Sequence, residues 1–192
     1  MKRRTSLLLA AVLLALPSIA VAQKNSESDT RASSKAAGHV KAKYDKKKDL
    51  TTVTLKNMAL GGAMSREVTN VGETSQLDLS AYFTHPGEQL AKPAEAAMLK
   101  FKSTSKYPAY QRGQILMAVV DDDRAVPLGD TSYSTNSQTF YIEETLTATI
   151  PYELMKRITS ANKLKLFLGA REISLKQDQL EDLRELTRRM AP

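Results

Sequence analysis

Cysteine is missing from all 192 residues, and histidine occurs only twice. Without cysteine no disulfide can staple the chain, so stability has to come from apolar burial. Two isolated histidines, His39 and His85, are too few for a zinc site with three or four protein ligands, and they suggest no triad. Both are expected at the surface, His39 near an amino-terminal spacer and His85 in a turn. No G-x-S-x-G element occurs, and Gly61-Gly62 lacks the Lys-Ser/Thr that completes a phosphate loop. Two S-x-x-K spacings, Ser103–Lys106 and Ser160–Lys163, stand without the partner motifs that would make either serine a nucleophile. Beyond the first 22 residues no run approaches the roughly 20 apolar residues of a spanning helix.

The amino terminus is the most legible segment. Lys2, Arg3 and Arg4 precede the apolar stretch SLLLAAVLLALPSIA, and Ala20-Val21-Ala22 is a small-x-small cleavage site. Residues 1–22 are therefore expected to be a signal peptide, with export to the periplasm or the extracellular medium. No cysteine follows that would take a lipid. Residues 23–37, QKNSESDTRASSKAA, are polar and lack aromatics, which predicts a disordered spacer. Residues 38–192 are expected to form one domain, since about 170 residues suffice to bury a core.

Charge divides unevenly. Of the formal +7, Lys2, Arg3 and Arg4 account for three, leaving +4 for the rest. Residues 23–48 hold eight Lys/Arg against Glu27, Asp29 and Asp45, a surplus of five, so residues 49–192 are nearly neutral at −1. A near-neutral body argues against a nucleic-acid partner. Lys41, Lys43, Lys46, Lys47 and Lys48 are left as a candidate contact for an anionic component of the cell envelope.

Periodicity then gives the fold class. HVKAKYD and LTTVTL suggest a hairpin or one interrupted strand. NMALGGAMSREVTNVGETS carries turn signals at Gly61-Gly62 and Gly72. In SQLDLSAYF, Leu77, Leu79, Ala81 and Phe83 alternate with polar residues, a half-buried strand ended by His85-Pro86-Gly87. AAMLKFKST places Leu99 and Phe101 inward with Lys100 and Lys102 outward. ILMAVV, apolar on both faces, predicts a central strand covered on both sides. TFYIEETLTATI reads as a long strand with Phe140, Ile142, Leu146, Ala148 and Ile150 on one face; Glu144 falls on that face as a bulge, an edge or a buried carboxylate, and burial would raise its pKa. A short helix over 151–160 follows, with Pro151 at its first position and Leu154 and Ile158 inward. KLKLFLG and REISL return to period two. The final KQDQLEDLRELTRRM is an amphipathic helix with Leu180, Leu183, Leu186 and Met190 as its stripe; Ser174 and Gln177 have capping-box spacing, with Asp178 as the alternative near its start. The expected fold is α+β, mainly an antiparallel sheet, sandwich-like or curved, with the last helix packed on it.

The densest chemistry is MAVVDDDRAVPLGD. Three consecutive carboxylates on an extended backbone point to alternate faces, and a calcium loop would need glycine where Val126 stands. A polar hairpin turn is the preferred reading, with a metal at Asp121 and Asp123 as the lesser alternative. Tyr107, Tyr110 and Arg112, in KYPAYQRG, are candidate ligand-binding residues, although such aromatics also serve as packing caps.

YDKKKDLTTV, ELMKRITSANKLKLFLGAREISL and LEDLRELTRRM together resemble a loose group of small exported bacterial proteins of unknown function. The resemblance implies export and an α+β domain, and it supplies no catalytic residue. With no coherent catalytic set and no cofactor motif, the expected role is a non-enzymatic binding or interaction domain of the envelope, whose partner is an envelope protein or an anionic component. A hydrolase with scattered residues is the alternative, which a deep pocket on Glu144, His85 or the tyrosines would favour.

Overall fold

The computed structural model describes residues 39–60 and 76–192. The expected signal peptide, the spacer and the turns at Gly61-Gly62 and Gly72 lie outside the described residues. Ten strands appear in chain order: β1 Val40–Asp45, β2 Leu50–Ala59, β3 Gln76–Pro86, β4 Ala96–Ser105, β5 Ile115–Val120, β6 Ala125–Asp130, β7 Ser132–Ser137, β8 Ile142–Pro151, β9 Leu164–Leu168 and β10 Arg171–Ser174. Two helices, α1 Tyr152–Thr159 and α2 Gln177–Arg188, come late. All pairings are antiparallel. They build a six-stranded sheet in the order β1-β2-β3-β4-β8-β7 and a four-stranded sheet in the order β10-β9-β5-β6. The class is the expected mainly antiparallel α+β.

Alternation decides which side is buried. Leu77, Leu79, Ala81 and Phe83 of β3, Leu99 and Phe101 of β4, and Leu146, Ala148 and Ile150 of β8 line the inner face of the six-stranded sheet. Leu164, Leu166 and Leu168 of β9 and Leu116 and Ala118 of β5 face inward from the smaller sheet. Together with Met155 and Ile158 of α1 and Leu180, Leu183 and Leu186 of α2 they form one continuous core. Helix α2 lies across β1, β2 and β3 and packs on α1, while β6 meets β8. At about 25 cal/mol per Å² of apolar surface, this burial carries the stability that disulfides would otherwise add.

Several local expectations shift. The β1–β2 hairpin closes through Lys46–Lys48, where Asp45 Oδ1 accepts from the Lys47 amide at 2.9 Å. Strand β5 is central in the small sheet, but among the described residues its outer side is only partly covered: Ile115 is 59% exposed and Met117 and Val119 are partly exposed. Its apolar outer residues reflect pairing partners within that face, Phe167 and Pro127 beside Met117, rather than a second covering layer. Strand β8 begins only at Ile142, so Phe140 sits in the β7–β8 turn, 86% exposed, instead of on the inner face. Pro151 precedes α1 rather than opening it; Ile158 is fully buried as expected, but its companion is Met155, one residue past the half-buried Leu154. Helix α2 is capped two residues later than Ser174–Gln177: the Gln179 side chain accepts from the Lys176 amide at 2.9 Å.

Candidate functional site

The segment between β4 and β5, residues 106–114, crosses from one sheet to the other and carries Tyr107, Tyr110 and Arg112. Its conformation is set by Glu144, whose side chain is 0% exposed on the inner face of β8. The carboxylate accepts from the backbone amides of Ala109 at 2.5 Å, Tyr110 at 3.0 Å and Gln111 at 3.0 Å, and from the Tyr133 hydroxyl at 2.9 Å. Burial pushes this carboxyl up, but the three amides and the phenol together outweigh it, and its pKa falls below the ordinary 4.5. The expected rise is thus reversed, because donors to the charged form replace the lost water. An acid held ionised by four donors has no proton to give.

The rest of the crossing is equally constrained. The Thr131 hydroxyl donates to the Gln114 carbonyl at 3.0 Å and accepts from the Gln114 amide at 2.8 Å. A Cβ at Gly113 would collide with the Thr131 carbonyl oxygen, so only glycine allows the two segments to touch. Tyr110 is half-buried against the core, and its hydroxyl accepts from Arg171 at 3.3 Å. Burial pushes the Tyr110 phenol up, opposed by the Arg171 charge. Tyr110 is therefore packed, whereas Tyr107 and Arg112 are exposed, with Lys106 Nζ 5.6 Å from the Tyr107 ring centroid.

The aspartates form a turn. Asp121 and Asp122 have φ of 51° and 62°, and the Asp123 amide donates to the Val120 carbonyl at 2.9 Å. Two central residues in the left-handed region define the turn type that matches the twist of a two-residue hairpin. Asp121 Oδ1 also accepts from the amides of Asn162 and Lys163, each at 2.8 Å, tying the turn to the start of β9. Asp122 pairs with Lys163 at 3.4 Å and Lys165 at 3.6 Å. Among the described residues no group of three or more His, Asp or Glu is placed to hold a metal ion.

Of the two histidines, His39 is exposed as expected and His85 is not. His39 Nδ1 lies 2.9 Å from Asp182 of α2, joining the start of β1 to the helix. His85 is buried within the end of β3, stacked on Phe83 with ring centroids 6.2 Å apart. Of the two S-x-x-K serines, Ser103 is sealed in the core opposite Glu144, and Ser160 Oγ donates to the Arg157 carbonyl at 2.8 Å.

What the fold brings together is the outer face of the six-stranded sheet. Lys41 and Lys43 of β1 point there, opposite Thr54 and Thr52 of β2. Thr54 and Thr52 are in turn opposite Tyr82 and Thr84 of β3. One row over, Lys56 lies in the bulge between Leu55 and Met58, and on β3 Ser80 pairs with Lys100 of β4. Lys100 and Lys102 pair with Thr147 and Thr145 of β8, which continue to Ser132 and Ser134 of β7. Both carboxylates of the central strands on this face, Asp78 and Glu143, stand beside Lys102, and Glu143 pairs with it at 2.5 Å. Lys41, Lys43, Lys56 and Lys100 form no ion pair among the described residues. Lys46, Lys47 and Lys48 extend the same cationic character into the β1–β2 turn. Lys56 and Lys100 were outside the predicted contact; their signal is the outward position of each in an alternating strand.

No helix among the described residues is long and apolar enough to cross a membrane. No family model matches the chain, and neither a curated protein nor a solved structure matches it.

Proposed function

We propose that this chain is an exported, non-enzymatic binding domain of the bacterial envelope, and that its contact surface is the outer face of the six-stranded sheet. The ligand class is an anionic polysaccharide. The observation that carries this reading is the line of unpaired lysines, Lys41, Lys43, Lys56 and Lys100, running across hydroxyl-bearing strands. A face of this kind offers hydrogen bonds from threonine and serine and charge from lysine. Lys41 and Lys43 also guard an edge strand against pairing with another sheet, which is the role they would keep without any ligand.

The test is binding of the chain to polygalacturonate, with neutral dextran and anionic vesicles alongside. The triple variant Lys41→Glu/Lys43→Glu/Lys100→Glu should weaken polygalacturonate binding by at least about tenfold, or ~1.4 kcal/mol. The loss should shrink as salt rises, because exposed charges are screened beyond about 10 Å at 0.1 M. Equal binding to dextran, or an unaffected triple variant, would remove the face from consideration. Preference for vesicles over the polysaccharide would replace the ligand class with a lipid headgroup.

A further inference from the structure

We propose that a recess at the end of β3 binds a small neutral molecule with an apolar body and a hydroxyl group. The recess has a volume of about 570 Å³ and is walled by the close of β3 and its connection to β4, including Leu90, Pro93, Ala94 and Ala96. That size lies within the range of small-molecule sites, which combine apolar walls with a few fixed polar groups.

The fixed polar group is His85. Its residue is 6% exposed, and Phe83 stacks on the ring at an interplanar angle of 30°. Nδ1 lies 3.0 Å from the Pro86 carbonyl oxygen. A carbonyl only accepts, so Nδ1 carries the proton, and in the neutral ring Nε2 presents a lone pair. Nε2 has no hydrogen-bond partner among the described residues. It is also not sealed: the sealed side-chain polar atoms without a partner are Ser103 Oγ and Arg171 Nε. A buried ring that lines the recess, with one nitrogen satisfied and the other open, offers its acceptor to a molecule that enters.

The rim fixes the charge of the ligand. Lys92 and Glu95 stand on it, one of each sign, and neither forms an ion pair among the described residues. Their fields oppose each other, so the site favours neither an anion nor a cation. A carboxylate would also face the Nε2 lone pair. A neutral alcohol or phenol satisfies all three features: its hydroxyl donates to Nε2 and its body lies on the alanine, leucine and proline walls. The recess sits at the end of β3, where His85 points to the inner face and the neighbouring Thr84 belongs to the outer one, and the proposal stands whether or not the lysine face binds a polymer.

The experiment uses the full chain at neutral pH with phenol, toluene and benzoate as probes. Long-range proton–nitrogen NMR follows the His85 ring nitrogens during titration. Phenol should bind saturably and move the His85 Nε2 resonance while leaving Nδ1 nearly unchanged. Toluene, which lacks a donor, should bind about tenfold more weakly and leave Nε2 in place, the factor expected for one hydrogen bond to a buried acceptor. Benzoate should bind no better than toluene. His85→Phe, which keeps a ring against Phe83, should make phenol and toluene equal. If that variant does not fold, the phenol–toluene difference in the unaltered chain decides alone. Equal binding of phenol and toluene, preference for benzoate, or an unmoved Nε2 resonance at saturation would each overturn the proposal.

Discussion

Glu144 and the Asp121–Asp123 run are the two acidic features of this molecule that invite a functional reading, and they reverse in importance between sequence and structure. Three adjacent aspartates are conspicuous, yet all three are exposed at a hairpin end. A single glutamate on an apolar strand face is inconspicuous, yet it is fully buried and accepts four hydrogen bonds. The difference teaches that carboxylate density says little about carboxylate work. Adjacent residues on an extended chain diverge, so a cluster in sequence is dispersed in space. One buried charge, by contrast, must recruit every donor within reach or be neutralised. Here it recruits a loop, and so Glu144 determines the path by which the chain passes between its two sheets.

The strongest way to break this comparison is Glu144→Ala. It strands the Ala109, Tyr110 and Gln111 amides and the Tyr133 hydroxyl, and it opens a void in the core. Losing one side of a buried charged network costs about 3–5 kcal/mol. Urea denaturation should show a loss in that range, with sharper proteolysis at residues 106–114. Ser103→Ala, opposite Glu144, should cost far less, since Ser103 Oγ has no partner to lose. A Glu144→Ala loss below about 1 kcal/mol would mean that the carboxylate follows the loop rather than holding it.

A pH series sharpens the same point. The folded pKa of Glu144 lies below 4.5, so the unfolded chain takes up this proton first as pH falls. The stabilisation is complete above 4.5 and is lost as pH drops through the lower, folded value. Glu144→Gln cannot ionise and should lack this dependence. The stability gap between the original chain and Glu144→Gln should therefore be widest near neutrality and close below 4.5. A gap that stays constant down to acid unfolding would show that charge is not what holds the three amides.

Much of the fold was legible because most strands bury one face. Leu77, Leu79, Ala81 and Phe83 announced β3, Leu164, Leu166 and Leu168 announced β9, and the stripe Leu180, Leu183, Leu186 and Met190 is buried as its spacing required. Strand β7, SYSTNS, gave no such signal, because it is a polar edge strand with only Tyr133 reaching the core. Phe140 continued the alternation of β8 in sequence, but the backbone leaves the sheet before it, so the pattern overran the element. His85 was placed in a turn by the Pro-Gly that follows it, although its side chain still points inward from β3. The donors to Glu144 lie 33 to 35 residues away, apart from Tyr133, and no local pattern encodes a contact across that separation. The lysine face was half visible: Lys41 and Lys43 stood out as a charge run, while Lys56 and Lys100 join them only through strand order, which no single strand specifies.

Within the aspartate run the three positions should separate by what each carboxylate touches. Asp121→Ala removes the acceptor for the Asn162 and Lys163 amides, and should cost about 1 kcal/mol, the usual net worth of such bonds. Asp122→Gly is the finer test. It removes ion pairs to Lys163 and Lys165, but these are exposed and such pairs contribute about 0–1 kcal/mol. It also relieves a φ of 62°, which glycine adopts without steric cost. The two effects oppose each other, so the melting temperature should change little, with a net effect within about 0.5 kcal/mol. Added calcium should leave both Asp122→Gly and the original chain where they are. If Asp122→Gly instead cost well over about 1 kcal/mol, or if calcium stabilised only the original chain, turn geometry would no longer account for the run, and the aspartates would regain the chemistry that their spacing denied them.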